Sequence, residues 1–384
     1  MLTGLKNIKT SPFGNLLNFA KANPIGLDFG REKLNMVQVD FSGHHPTIRA
    51  ACSDYHNSNI ESFFSDPKTL QPLVKSALKN YPFKGRKVVS SMPSNKLKLL
   101  FLNYRCNNSE NESEALLAAL KERVGKEIND SIVDYIPINP DASKQTERIA
   151  LVALAKQQDV EAYLDLLSQC GLEVVALEIG PMAIKRLISL MSKQDNTQKT
   201  LTLNFGSEKS YLTVLWEGNI LLDREINFGM NSVLNSASEG LEIKPDAALN
   251  LLHQYGLSKP NPDDEEDQLN PDFIDNDIRF AINEILKPAF IDLASEIRDV
   301  LVYVASETRG GAIEQIYLLG SLARLSGIDQ LIDAQLSIPV RTINPFYGLD
   351  VRIQETNLDD LGPLAGIAVA TGLALRGNRR GNQQ

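Results

Sequence analysis

The sequence predicts an α/β protein of two related lobes, and three observations carry that expectation. The chain has 384 residues, more than one ordinary core organises. Strand-like and helix-like periods alternate through both halves. A pattern of strand, glycine turn and strand opens at Asp28-Phe29-Gly30 and returns at Asn204-Phe205-Gly206. A repeat that long is not a solenoid, so it suggests two domains that each begin with a hairpin sheet.

The elements follow in order. Ile25 to Phe29 reads as the first strand. Leu34 to Phe41 alternates apolar and polar residues through Leu34, Met36, Val37, Val39 and Phe41, which is strand periodicity. Turns at Gly30 to Lys33 and at Ser42-Gly43 flank it, and Pro46 to Cys52 makes a third strand. Leu70 to Lys79 carries Leu70, Leu73, Val74, Ala77 and Leu78 on one helical face. Glu114 to Val124 repeats this with Leu116, Leu117, Leu120 and Val124. Ile149 to Ala155 is a continuous apolar run, expected as a buried strand. Val160 to Cys170 is expected as a helix capped by Gly171, followed by a strand at Val174 to Ile179. Pro181 suits the first turn of a helix to Met191. In the second half, strands are expected at Thr200 to Phe205, Tyr211 to Trp216, Ile220 to Arg224 and Ile316 to Leu319. Pro288 is expected to begin or kink a long helix that ends at Glu307.

Composition bounds the function. With 39 basic and 48 acidic residues the net charge is −9, which repels phosphate backbones and argues against nucleic acid as the main partner. Cys52, Cys106 and Cys170 are far apart and form no CxxC pair, which fits free thiols in a reducing compartment. His44, His45, His56 and His253 lack the spacing of a metal site. Residues 1–21 hold Lys6, Lys9 and Lys21, but polar residues break the apolar run a signal peptide needs. The longest apolar stretch, Pro363 to Leu375, at ~1.5 Å per residue falls short of a bilayer core of ~30 Å. The expectation is a soluble, cytoplasmic protein that meets a membrane only through a partner.

Two segments stand apart. Ser258 to Asp277 is rich in carboxylates, with Lys259 its one lysine. It reads as a solvated acidic insertion and not a calcium loop, because the EF-hand spacing and mid-loop glycine are missing. The polar tail after Arg376 is expected to fray.

The candidate chemistry lies in the glycine turns. A phosphate cradle needs backbone N–H groups that point inward, hence glycine in a tight turn. It also needs hydroxyls or cations nearby, and a carboxylate that holds Mg²⁺, usually through water. Asp28 and Gly30, at the end of the first strand, meet part of that description.

Pro24-Ile25-Gly26-Leu27-Asp28-Phe29-Gly30, with Leu34 to Asp40, looks like the opening of the PilM family of type IV pilus assembly proteins and of its relative, the cell-division protein FtsA. Val88 to Tyr104, with Ser91-Met92-Pro93-Ser94, resembles the family's entry into a small inserted subdomain. Ile149 to Leu187, Phe228-Gly229, Ile338-Pro339-Val340 with Asn344-Pro345-Phe346, and Gly362 to Gly377 are similar to the family in the same order. The resemblance spans nearly the whole chain. It implies a two-lobed actin-like fold (ribonuclease H-like). Residues 1–23 are then an extension, 24–198 the first lobe with an insertion at about 88–169, and 199–360 the second lobe with the acidic loop 258–277. Residues 361–376 are a C-terminal helix returning to the first lobe, and 377–384 a tail.

The resemblance also implies a nucleotide, ATP with Mg²⁺, held between the lobes by three loops. On this sequence they are Asp28, Gly30 and Arg31; Asn204, Gly206 and Ser207; and Gly320 and Ser321, with Asp28 reaching the metal through water. Each loop departs from the family pattern. Arg31 and Glu32 follow Gly30, and Asn35 replaces a lysine. Asn204 replaces an aspartate, and Glu208 adds negative charge. Leu322 adds bulk where a glycine run is expected. Like charges ~4 Å apart cost about 1 kcal/mol even in water, so the site reads as partly degenerate.

Function then divides into classes. The leading reading is a cytoplasmic scaffold of a pilus inner-membrane platform. It would bind the N-terminal peptide of a single-pass PilN-like partner and sit near the assembly motors. Its peptide groove is expected where the insertion meets the first lobe, walled by Leu97, Leu99, Phe101 and Tyr104. The alternative is a small-molecule kinase or active ATPase of the actin-like superfamily, against which Asn204 counts. An FtsA-like membrane tether needs an apolar C-terminal face that Arg376 to Gln384 lacks. An MshI-type pilus relative is a neighbouring reading.

Overall fold

The computed structural model describes residues 23–29, 33–56, 67–107, 111–138, 146–191, 198–257, 273–308, 310–353, 361 and 363–377. Gly30, Arg31 and Glu32, most of the N-terminal extension, the acidic segment up to residue 272, and residues 378–384 lie outside them.

Alternation of apolar residues produces a meander of three antiparallel strands, β1 (Ile25–Phe29), β2 (Lys33–Asp40) and β3 (Thr47–Tyr55). Their apolar side chains are buried on both faces, because helices cover the sheet from both sides. β4 (Lys87–Ser91) pairs parallel with β1, and β8 (Glu173–Glu178) parallel with β4. The second half repeats this. β9 (Thr200–Phe205), β10 (Ser210–Trp216) and β11 (Asn219–Ile226) form the meander. β12 (Gln315–Gly320) then pairs parallel with β9, and β13 (Val340–Thr342) parallel with β12. The sheet orders β3-β2-β1-β4-β8 and β11-β10-β9-β12-β13 follow one plan. The repeat of glycine turns in the sequence is thus the trace of a repeated topology. β14 (Asp350–Val351) crosses back from the second half to the open edge of β3.

A third sheet, in the order β5 (Lys98–Arg105), β7 (Glu147–Lys156), β6 (Ser131–Pro137), is antiparallel. One face packs on α2 (Glu112–Val124), burying Leu102, Tyr104, Leu116, Leu120, Ala150 and Val152. Asn111 caps that helix by accepting from the Ser113 N–H at 3.0 Å. This separate sheet spans 98–156. β4 belongs to the large sheet. α3 (Gln157–Gln169) packs with α1 (Pro67–Asn80) on the first-lobe core. The insertion is therefore narrower than the expected 88–169.

The remaining helices are α4 (Gly180–Met191), α5 (Met230–Gly240), α6 (Pro245–Tyr255), α7 (Phe273–Glu307), α8 (Ile328–Leu336) and α9 (Ala368–Ala374). α7 corrects an expectation. It starts well before Pro288 and already includes Asp275 and Asp277 of the acidic segment. Pro288 is exposed, as is Glu284 one turn earlier, so water can reach the carbonyl that proline leaves unbonded. All three cysteines are buried.

α9 is buried and touches β1, β2, β4 and α4. Its backbone lies directly on theirs. A Cβ on Gly26 would stand 2.0 Å from the Ala370 carbonyl oxygen, and one on Gly372 would stand 2.2 Å from that of Ala183. Neither neighbour is a flexible side-chain end, so neither can yield cheaply. Gly26→Ala is expected to destabilise the protein by about 3 kcal/mol or more. Gly43→Ala, whose Cβ would meet nothing closer than 3.5 Å, should stay within about 0.5 kcal/mol of the parent. Denaturant midpoints of the two variants check this contrast.

Candidate functional site

The end of β1 carries Asp28, opposite Asn35 of β2. The Ser91 hydroxyl donates to Asp28 Oδ1 at 3.2 Å, and Asn35 also hydrogen-bonds the carboxylate. Ser53 donates to Asn35 Oδ1 at 2.8 Å, and Asn35 Nδ2 donates to the Gly366 carbonyl at 3.3 Å. Removal from water raises the Asp28 pKa from 3.8 to about 6, and the hydrogen bonds from Ser91 and Asn35 pull against that rise.

The equivalent end of β9 carries Asn204, between Tyr211 of β10 and Leu319 of β12. Gly320 follows at φ +87°, where a Cβ would stand 2.2 Å from the Phe205 carbonyl and 2.7 Å from Asn204 Oδ1. Only glycine fits there. The Ser321 hydroxyl donates to the carbonyls of Phe205 (3.1 Å) and Gly206 (2.9 Å), and its N–H donates to Phe205 at 2.9 Å. The Gly206 N–H is spent on the Lys209 carbonyl at 3.1 Å, and the Ser207 carbonyl accepts from the Asn231 N–H at 2.8 Å. These loops brace one another, and the N–H groups of Gly206 and Ser321 are not open to a phosphate.

The turn Leu364–Ile367 touches β2 of the first lobe and β12 and the turn Leu322–Arg324 of the second. Arg324 lies against it, with its Cδ 3.1 Å from where a Cβ on Gly366 would be. The Arg324 Nε is buried and has no hydrogen-bond partner among the described residues. Beside this junction, Tyr211 of the second lobe lies near Ser94 of the first and donates to Glu225 Oε2 at 3.1 Å. Asp223 accepts from Thr213 at 2.6 Å and is pushed up to about 6, first by burial and further by the Glu225 charge. Sequence periodicity pointed to neither Arg324 nor the Ser94–Tyr211 contact, since each arises from packing between segments distant in sequence.

This junction suits a small polar ligand. Arg324 offers a buried donor with no partner among the described residues, while the space beside Gly320 is already filled by Phe205 and Asn204. Its phosphate-side chemistry is thin, because Asn204 supplies no second carboxylate beside Asp28. Among the described residues, no three metal-ligating side chains gather.

A concavity lies between the small sheet and the first lobe. It has a volume of about 280 Å³. Ile136, Leu151, Ala153, Leu177, Ile179 and Met182 supply apolar walls, and Asp134 stands on one side. Tyr135, Glu178, Arg186 and Arg376 complete the lining. Glu178 is only 6% exposed and is held by both arginines. Arg186 Nη2 reaches Oε1 at 2.8 Å and Nη1 reaches Oε2 at 3.0 Å, while Arg376 Nη1 also bonds Oε1. The lining thus carries two arginines and two carboxylates, Glu178 and Asp134, and Arg186 also donates to the Gly372 carbonyl at 2.7 Å.

A sequence profile described as type IV pilus assembly protein PilM matches residues 26–378. The chain belongs to the PilM family. Among solved structures, a PilM-PilN type IV pilus biogenesis complex aligns at TM-score 0.75 and 23% identity, over 93% of this chain and 99% of that one. The ethanolamine utilization protein EutJ from Carboxydothermus hydrogenoformans aligns at TM-score 0.53 and 13% identity, over 93% and 90% of the two chains. The fold is the two-lobed actin-like one.

With the PilM family established, each expected site residue can be placed. Asp28, Asn204, Gly206, Ser207, Gly320 and Ser321 all sit at the paired strand ends, whereas Gly30 and Arg31 lie outside the described residues. Leu99 and Phe101 share a sheet face with Ala153 and Leu151 of the cavity, to which they are cross-strand partners. Leu97 packs between the two main cores. Tyr104 is a correction. It points to the opposite face, 4% exposed under α2, with its hydroxyl donating to Glu112 at 2.7 Å. Even and odd residues of a strand face opposite ways, so one wall cannot use both.

Asp28 holds its proton more tightly when folded, so its ionisation opposes folding above about pH 6 and costs nothing below 3.8. Asp28→Asn should therefore raise stability at pH 7.5 by about 1–2 kcal/mol, a gain that fades on acidification through that window. Denaturant midpoints at three pH values measure it. An equal shift at all three would sink the assignment.

Proposed function

We propose that this chain is a scaffold on the cytoplasmic face of a type IV pilus assembly platform, where it binds the N-terminal cytoplasmic peptide of a single-pass PilN-like protein. The observation that carries the reading is the cavity between the small sheet and the first lobe. It combines apolar walls with a cluster of two arginines and two carboxylates, which suits an extended peptide with an apolar anchor and charged or polar ends. The similar structure whose title names PilM with PilN supports the choice of partner. No described helix is long and apolar enough to cross a membrane, so membrane contact through this partner and proximity to the assembly motors form part of the proposal.

An adenine nucleotide is the ligand proposed for the junction of the lobes. Arg324, Gly320 and Ser321 would hold the nucleoside end. Asp28, with Ser91 and Asn35, would orient water around a Mg²⁺ at the phosphate end. A bound nucleotide would supply a polyanion that ties the two lobes together. The kinase or ATPase alternative is less well supported, because Asn204 stands where a second carboxylate would act and the nearby amides are spent.

Titration calorimetry with a synthetic N-terminal peptide of the PilN-like protein from the same organism tests the scaffold reading. Saturable binding is expected. Ala153→Phe, which fills part of the cavity, should weaken it at least about tenfold, the loss of some 1.4 kcal/mol. Tyr104→Phe, on the far face of the sheet, should leave it unchanged. Absence of heat at several temperatures, together with no co-purification of the full-length pair, would remove the support for this function.

A further inference from the structure

The end of the first-lobe sheet opposite Asp28 gathers the starts of β1, β3, β4 and β8 and the finish of β2. Gln38 pins this end. Its side-chain amide donates to the carbonyls of Asn23 at 2.7 Å and Lys84 at 2.8 Å, and accepts from the Lys84 N–H at 2.8 Å. Around that anchor stand Lys75 and Lys79 of α1, Lys84 and Arg86 of the loop after it, and Lys87 at the start of β4. The first four are exposed. Carboxylates also approach this end, and each meets a cation. Glu173 lies 3.8 Å from Lys87, Asp40 faces the charges of Arg49 and Lys84, and Arg352 follows Asp350. Positive charge is thus in excess here, although the chain as a whole carries −9.

The flanking sequence attaches at the same place and has the same sign. A Cβ on Gly377 would stand 3.2 Å from Pro24 and 3.6 Å from Asn23, so residues 1–22 and 378–384 join the described residues side by side. Those two stretches hold Lys6, Lys9, Lys21, Arg379 and Arg380 and no aspartate or glutamate. The first also sets Leu16, Leu17 and Phe19 among its lysines. One large amphipathic ring lies nearby. The Asp350 N–H donates to the Pro46 carbonyl at 3.0 Å, which brings the turn before β14 to this end, and Tyr347 in that turn is 61% exposed.

We propose that this basic end of the first lobe is a membrane-docking face, which takes the anionic headgroups of a phospholipid bilayer directly. The inference rests on the scaffold reading above and deepens it, by adding a direct contact to the one made through the single-pass partner. A headgroup layer matches the observations better than an acidic protein segment. The cations come from a helix, a loop and a strand start, and stand apart from the walls of the peptide cavity. Tyrosine and lysine mixed with large apolar side chains are the residues that settle at a membrane interface. Each lysine or arginine held near an anionic leaflet is worth about fivefold in partition, so several weak contacts add to a useful one.

The test is co-sedimentation of the full chain with vesicles of phosphatidylglycerol and phosphatidylethanolamine, and with vesicles of phosphatidylcholine alone. The chain is expected to pellet with the anionic vesicles at ~0.1 M salt, to be released at ~0.5 M, and to ignore the neutral ones. Lys79→Glu, Lys84→Glu and Arg86→Glu together should lower the partition at least about tenfold. Lys121→Glu, Arg123→Glu and Lys126→Glu make the same change of net charge on the small-sheet side, and should stay within about threefold of the parent. Denaturant midpoints establish that both triple variants fold. If the first does not, Lys79→Gln with Arg86→Gln takes its place, with a loss of at least about fivefold expected. Equal losses in the two triple variants, or equal binding to neutral vesicles, overturn the docking face. Binding to poly-glutamate without binding to anionic vesicles overturns it in favour of an acidic protein segment. The peptide titration is read separately. A chain that binds the peptide and not the vesicles loses this inference alone, and one that binds the vesicles and not the peptide loses the scaffold reading and keeps the docking face.

Discussion

The contact on which most else depends is the backbone seat of α9. A seven-residue helix from the far end of the chain lies on the first strand and on α4, at distances only glycine allows. It closes the first lobe over a core otherwise built from β1, β4 and their covering helices. It also places the preceding turn between the lobes and the following arginine beside Glu178. Substitution at Gly26 or Gly372 would lever that helix away, and each of these placements would be lost together. Such dependence of several features on one close approach is what a packing density near that of a crystal implies.

Charge is arranged by the same geometry. Glu178 would be costly as a lone buried carboxylate, and the two arginines that offset this arrive from separate segments, one on α4 and one after α9. The cluster therefore exists only when the C-terminal segment is seated. The cluster borders a cavity whose other walls are mostly apolar, with Asp134 and Tyr135 among them, which is chemistry suited to peptide recognition. At the junction of the lobes the balance differs. Asp28 and Asp223 are both driven toward neutrality by burial, and the hydroxyls and amides around them are largely engaged with one another. A site in which the protein satisfies its own polar groups has less to offer the transition state of phosphoryl transfer than to a ligand that holds two lobes in one arrangement.

The sequence by itself determined the strand–turn–strand repeat, the α/β class and the order of nearly every element. These rest on local apolar periodicity and on glycine and proline positions, which read the same in any tertiary setting. It also placed Asp28, Asn204 and Gly320 at strand ends, because turn chemistry leaves a mark within a few residues. Tertiary structure alone decided the rest. Periodicity shows that β5 is apolar on both sides, and only pairing with β7 and cover by α2 assigned Leu99 and Phe101 to one face and Tyr104 to the other. Arg186 and Arg376 stand far apart in the chain, as do Arg324 and Gly366, and no short-range pattern links such residues. Their meeting is a consequence of how α9 packs, and both candidate sites of this protein are made from meetings of that kind.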